Sequence, residues 1–197
     1  TSFHVVRDES FFADAKGVKA ITRRHVESID RLAKTVQCLH LDTGTPETIP
    51  YDKLVLSTGT NPNIIPIPGA ELDGVFTVNN MHKAIAIKER LAQGKVGKAV
   101  VIGGGAIGLE MAESFADLWG VETVVIELMP QILPRAVDPI FANMLQKHME
   151  DNGVEILVSE NVEKIEQTQG SALAVTTNKR VLETDIIIMA VGVRPRD

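Results

Sequence analysis

The chain has 197 residues, of which 44% are hydrophobic and 23% charged, and a net charge of −6. That length suits one large or two small globular domains with a proper core, and the composition is ordinary for such a protein. No Lys/Arg run is long enough for a nucleic-acid footprint and no apolar run approaches the roughly 18 residues of a membrane span, so neither partner is expected.

Residues 10–16 read as the end of a helix closed by Gly17. Short strands are expected over 18–21, 25–29 and 35–41, and the turn Asp42-Thr43-Gly44 leads to another at 48–51. Leu54-Val55-Leu56-Ser57 has the apolar run of a buried strand. Residues 18–57 therefore predict an antiparallel ribbon feeding one buried strand. The lone cysteine, Cys38, lies in that ribbon as a small strand residue without a disulfide partner. Residues 1–14 lack a secretory pattern, and a cytoplasmic protein is expected.

Residues 59–74 carry Pro62, Pro66 and Pro68, which suit an extended connector, and a domain boundary is placed there. From Val75 strands and helices alternate. The expected order is a strand at 75–78, a helix capped by Asn80 and running to about 93, and a strand at 98–102. In that helix Ala84, Ile87 and Leu91 form the buried stripe, and the charged residues of 83–90 the solvated face. A helix at 106–118 ends at Gly120, followed by a strand at 122–126 and a loop at 130–134. Asp138 caps a helix through 151, with Ile140, Met144, Leu145 and Met149 on one face. A strand at 154–158 and three short strands at 162–167, 172–177 and 181–183 follow. Asp185-Ile186-Ile187-Ile188-Met189-Ala190-Val191 is a continuous apolar run, as in a parallel strand covered on both faces. The fold class is α/β: a Rossmann-like, doubly wound parallel sheet with an antiparallel β-ribbon insertion.

The chemistry concentrates in Val100-Val101-Ile102-Gly103-Gly104-Gly105-Ala106-Ile107-Gly108-Leu109-Glu110 and Val124-Val125-Ile126-Glu127. Strand, glycine turn, helix start and a second strand ending in an acid is the pattern that binds a dinucleotide. Gly103 permits the tight turn, Gly105 lets backbone approach a pyrophosphate, and Gly108 allows close helix–sheet packing. The helix N-terminus attracts phosphate, and Glu127, at the required distance of about 20 residues, can accept the ribose hydroxyls. The carboxylate would repel a 2′-phosphate and no arginine follows closely, Arg135 standing beyond two prolines, so NADH is expected over NADPH. His4, His25, His40, His82 and His148 show neither metal-ligand nor base–nucleophile spacing.

Three motifs in order make the chain resemble the flavin-dependent pyridine nucleotide–disulfide oxidoreductases. They are Tyr51-Asp52-Lys53-Leu54-Val55-Leu56-Ser57-Thr58-Gly59-Thr60-Asn61-Pro62, the unit from Gly103 to Glu127, and Thr184-Asp185-Ile186-Ile187-Ile188-Met189-Ala190-Val191-Gly192-Val193-Arg194-Pro195. Ser10-Phe11-Phe12 and the ribbon look closest to the coenzyme A-disulfide reductases and NADH oxidases. The resemblance implies an internal fragment. Residues 1–74 would be the remnant of a flavin domain (ribbon, strand and linker), 75–193 the NAD(H) domain, and 194–197 the start of the return to the flavin domain. The family's own flavin glycine motif and redox cysteine would lie upstream, and a later flavin-contacting segment and the dimerisation domain downstream. Cys38 does not match that redox cysteine. FAD is expected in the intact homodimer and not in this chain alone.

The resemblance assigns Thr58 and Gly59 to a flavin-side turn, and Gly103, Gly105, Ala106 and Ile107 to the pyrophosphate, with Gly108 in the same cofactor-binding turn as the glycine that packs the helix on the sheet. Ala106 stands where the family often has an aromatic lid over the flavin, so it cannot gate in that way. Glu110 matches a glutamate near the nicotinamide–flavin contact, or is a first-turn acid favoured by the helix dipole. Gly192 matches a turn beside the nicotinamide, or is a simple strand-end turn. The implied activity is hydride transfer from NADH to flavin and on to a disulfide or oxygen acceptor, with no catalytic acid, base or nucleophile in this chain. The alternative is an NAD-binding sensor without catalysis. A stand-alone short-chain dehydrogenase is disfavoured, because Tyr51, the only tyrosine, starts no Tyr-x-x-x-Lys pair.

Overall fold

In the computed structural model, residues 7–168 and 172–196 are described; His4 and Asp197 lie outside them. The chain divides into two compact units, Thr1–Ser57 and Thr58–Asp197. The proline-rich segment after Gly59 thus packs with the second unit.

In the first unit, α1 spans Glu9–Lys16. The Asp8 carboxylate caps it by accepting from the Phe11 N–H at 2.9 Å. Gly17, at φ 64°, ends it. Its N–H donates to the Ala13 carbonyl, an αL closure, and that of Val18 to the Phe12 carbonyl. This closure is why the strand expected at 18–21 does not form: Val18 completes the helix end. A meander follows, with β1 Arg24–Asp30, β2 Thr35–His40 and β3 Pro46–Pro50 paired antiparallel in the order β1-β2-β3. The Asp30 side chain shapes the first turn by accepting from the N–H groups of Leu32 and Ala33. Val36 and Cys38 are buried on β2. Leu54-Val55-Leu56-Ser57 is not a buried strand: none of it is in a ladder and Val55 is 86% exposed. A parallel core strand needs neighbours, and none of the described residues pairs with it.

In the second unit, β4 Thr60–Pro62 pairs antiparallel with β13 Val193–Pro195. Sequence reading placed only connector there. The main sheet has five parallel strands in the order β5-β12-β6-β7-β8. These are β5 Val75–Phe76, β6 Lys98–Ile102, β7 Glu122–Ile126, β8 Val154–Leu157 and β12 Ile186–Met189. Between them run α2 Met81–Ala92, α3 Ala106–Glu113 and α4 Pro139–Asp151. The remaining strands, β9 Val162–Gln167, β10 Leu173–Thr177 and β11 Val181–Thr184, form the antiparallel ribbon.

Each face of the sheet is covered differently. Ile186 and Ile188 of β12 pack into a cluster with Ile87 and Leu91 of α2, Leu109 and Ala112 of α3, and Ala142 and Met149 of α4. Ile187 and Met189, pointing the other way, pack with Val162, Ile165, Leu173 and Val175 of the ribbon. The sheet therefore does not carry helices on both faces, as a doubly wound sheet would. The ribbon takes the place of the second helical layer. The Pro68 carbonyl accepts from the Ile165 N–H at 2.8 Å, so the connector is pinned to the ribbon.

Four helical expectations change. The helix expected at 106–118 is α-helical only through Glu113 and continues as a π turn over Ser114–Leu118. Asp138 stands at the N-cap of α4 without a side-chain capping bond; Pro139 at N1 needs no N–H acceptor. On α4 the buried residues are Ala142 and Met149, while Ile140, Phe141 and Met144 are exposed. On α2, Ile87 and Leu91 are buried but Ala84 is not. No helix among the described residues is long and apolar enough to cross a membrane.

Arg23 pairs with Asp42, and Arg24 with Glu47 at 2.7 Å. These guanidinium bonds hold the Asp42 and Glu47 carboxyls below the ordinary carboxylate range, as the Phe11 amide does for Asp8. A lowered folded-state value favours the folded form at neutral pH, and that contribution is lost as pH falls through the depressed values. Acid titration followed by circular dichroism should show stability falling below the usual carboxylate range. Arg24→Gln should flatten that dependence.

Candidate functional site

β6 and β7 lie side by side, and both end at the same edge of the sheet, Ile102 opposite Ile126. Gly103 leaves β6 at φ 110°, a backbone conformation that L side chains rarely adopt. Its N–H donates to the Ile126 carbonyl at 2.8 Å. A Cβ here would stand 2.5 Å from the Ala190 carbonyl oxygen, just past β12. A Cβ on Gly108 would stand 2.0 Å from the Gly103 oxygen. The turn is thus wedged between the end of β12 and the first turn of α3, with no room for a side chain at either glycine.

Gly105 is different. It is the N-cap of α3, in extended conformation at φ −80°, and a Cβ there would meet nothing within 4 Å. It offers no side-chain cap, and the first turn of α3 holds no acid. The first amides of a helix have no intrahelical acceptor. An uncapped helix start beside open backbone is suited to an anion. Ala106 and Ile107 are exposed there.

Glu127 follows β7 and is only 8% exposed. Its Oε2 accepts from the Gly104 N–H at 2.7 Å and its Oε1 from the Met129 N–H at 2.8 Å. A carboxylate has about four acceptor positions, so two remain for further donors. The loop after it folds back: the Leu133 N–H donates to the Gly104 carbonyl at 2.8 Å, and Ile132 is fully buried beside Gly104. Farther along, residues Pro134 to Asp138 with Phe141 line an open cavity of about 470 Å³.

The residues expected from sequence therefore do not all fall in one place. Gly103, Gly105, Ala106, Ile107, Gly108 and Glu127 converge at the ends of β6 and β7, with the segment before Gly192 against Gly103. Glu110 is exposed and lies beyond the first turn of α3, so it is not a first-turn acid. Gly192, at φ 91°, accepts from the Asn63 N–H at 2.9 Å. Thr58 and Gly59 lie on the paired crossing segments. The Thr58 hydroxyl donates to the Arg196 carbonyl at 2.6 Å, and the Gly59 carbonyl accepts from the Arg196 N–H. Sequence reading missed Gly104, Leu133 and Glu160. For Gly104 the signal was a fourth glycine, at a position that the Gly-x-Gly-x-x-Gly motif leaves free. Leu133, at φ 48°, and Glu160, buried beside Thr177, carry no local mark. Among the described residues no group of His, Cys, Asp and Glu could hold a metal ion.

The model of the pyridine nucleotide-disulphide oxidoreductase family matches residues 3–197. The chain belongs to that family. Similar to this oxidoreductase chain is an NADH oxidase of Methanocaldococcus jannaschii, 37% identical over 180 residues, covering 91% of this chain and 40% of that protein. Among solved structures, an NAD-dependent persulfide reductase from A. fulgidus superposes with a TM-score of 0.82 at 34% identity, over 99% of this chain and 35% of that one. A water-forming NADH oxidase from Lactobacillus brevis, bound to NADH, gives 0.73 at 31% identity, over 87% and 37%. The oxidoreductase chain thus spans about 40% of the length of the curated relatives it matches.

Gly108→Ala should disrupt the glycine turn and lower the melting temperature sharply, since a Cβ would stand 2.0 Å from backbone. Gly105→Ala should cost no more than about 1 kcal/mol, the scale of losing a favoured N-cap residue, since a Cβ there would meet nothing within 4 Å. Thermal melts of the two variants check this.

Proposed function

We propose that this chain is the NADH-binding part of a flavin-dependent oxidoreductase, and that the whole protein passes reducing equivalents from NADH through FAD to a disulfide or oxygen acceptor. The observation that carries the reading is the Glu127 carboxylate, held at 2.7 Å against the glycine turn beside an uncapped helix start. When bound, NADH supplies a hydride and FAD accepts it. The residues here bind and orient. The backbone of Gly105, Ala106 and Ile107 would hold the pyrophosphate, and the two remaining acceptor positions of Glu127 the ribose hydroxyls. Gly192 would border the nicotinamide end, and Thr58 and Gly59 the flavin side. Glu110 would stand nearer the reacting rings than the pyrophosphate. The family match over residues 3–197 favours this over a sensor, which needs only the turn and the acid.

The same carboxylate would select the cofactor. A 2′-phosphate adds a charge of about −2. Unit charges about 4 Å apart cost about 1 kcal/mol in water, so two cost about 2 kcal/mol, a factor of tens. We further propose that the whole protein is cytoplasmic, in keeping with its lone Cys38, and on family grounds a homodimer, this chain alone holding no FAD. We also propose that it binds neither nucleic acid nor membrane, in keeping with its net charge of −6.

Calorimetric titration should show saturable NADH binding with NADPH tens-fold weaker. Gly105→Val should abolish NADH binding without unfolding the chain, and Glu127→Ala should bring the two affinities together. Comparable affinities in the parent would sink the selectivity argument, and no binding by the folded chain the whole reading.

A further inference from the structure

Glu127 is bonded on both sides of its peptide, to the last residue of β8 and to the segment that follows it. Its N–H donates to the Leu157 carbonyl at 2.8 Å, and its carbonyl accepts from the Glu160 N–H at 3.1 Å. One residue earlier, the Ser159 N–H donates to the carbonyl of Met129 at 2.9 Å. Met129 is also the residue whose own N–H holds the Glu127 carboxylate. Ser159 makes this turn at φ 52°, a left-handed conformation that a serine keeps where its surroundings impose it.

The residue that follows it is a buried acid. Glu160 is 2% exposed. Its Oε1 accepts from the Thr177 hydroxyl at 2.6 Å and forms an ion pair with Arg180 Nε at 3.1 Å. Thr177 and Arg180 close the turn between β10 and β11. The Thr177 N–H donates to the Arg180 carbonyl, and the Arg180 N–H to the Thr177 hydroxyl oxygen. Arg180 is partly exposed, so its guanidinium is wet on one side and clamps Glu160 on the other. A continuous run of hydrogen bonds thus leads from the ribbon turn through Glu160 and the 159–160 backbone to both ends of the Glu127–Met129 segment.

We propose that Glu160 and Arg180 are positioning residues that hold the Glu127 carboxylate in the geometry that binds NADH and rejects NADPH. This rests on the function proposed above. The pair touches neither the glycine turn nor the open side of Gly105; its effect passes through the peptide of Glu127. It therefore acts on cofactor selection, not only on fold. It also gives the ribbon insertion a part in the site, beyond covering one face of the sheet.

The test is a titration of the full chain with NADH and with NADPH, for the parent, Arg180→Gln, Glu160→Gln, Arg180→Lys and Glu127→Ala, with folding checked by circular dichroism and melting. Arg180→Gln and Glu160→Gln should weaken NADH about tenfold, the scale of loss when a binding group is displaced by a fraction of an ångström, and should shrink the NADH-to-NADPH ratio. Arg180→Lys, which restores the charge, should recover most of both. Combined with Glu127→Ala, Arg180→Gln should cost nothing further, because groups that act through one another are not additive. The proposal is overturned if the folded Arg180→Gln or Glu160→Gln variant keeps the parent's ratio, or if its loss adds in full to that of Glu127→Ala. A merely structural staple would lower the melting temperature and leave the ratio alone. Should the folded parent bind no NADH, the functional reading itself fails. Should the parent bind, Glu127→Ala weaken binding and the pair's variants behave as the parent, only this inference fails.

Discussion

The bond from the Gly104 amide to the Glu127 carboxylate, 2.7 Å long, joins the ends of the two central strands β6 and β7 at the point where the chain turns into α3. A buried carboxylate is costly unless its oxygens are hydrogen-bonded, and backbone amides are the donors at hand. Gly104 can serve because a Cβ there would stand only 3.1 Å from Glu127 Cβ and from Ile132. The turn needs Gly103 and Gly108 to nest against one another, and the nesting leaves Gly104 facing the acid. The open side of Gly105 is then what remains for a ligand. One glycine conformation, one close contact and one acid thus fix the shape of the site together.

Much of this was legible because it is local. Gly103 at a strand end, Glu127 at the next strand end, Asn80 before α2 and the apolar run of β12 each mark their element by type and spacing. What escaped was set by partners far off in sequence. Nothing around Thr60 announces a strand, since its ladder is made with Val193–Pro195 at the other end of the unit. The run from Leu54 to Ser57 has the composition of a core strand, and composition does not say whether neighbours are there to bury it. On α4 the apolar periodicity pointed to Ile140 and Met144, but the helix turns its small Ala142 to the core. Close approach of a helix to a sheet favours a small residue, which a count of large apolar residues overlooks. Glu160 looked like an ordinary acid, and only the turn at Thr177 and Arg180 shows why it is buried.

The two faces of the main sheet also divide the labour of the unit. Helices pack on one face and include α3, whose N-terminus borders the glycine turn. The ribbon packs on the other and reaches the same acid from behind through the 159–160 turn. Evenly apolar strands such as β12, with Ile186 and Ile188 on one side and Ile187 and Met189 on the other, tolerate either cover. That is why their sequence announces burial on both faces without saying what buries them.

The strand order β5-β12-β6-β7-β8 has a consequence for how the chain matures during translation. β12 is the last of the five to be made, yet it sits between the first two, and β5 has no partner in the sheet except β12. Until residues near 189 have emerged from the ribosome, β6 presents a bare edge and β5 hangs unpaired. Strands that pair over such distances form late, since loop closure must be met before the ladder repays it. The Ala190 carbonyl that wedges Gly103 arrives with the same strand. The glycine turn therefore takes its final form only after β12 has been made, and a nascent chain halted before β12 would carry the motif without its shape.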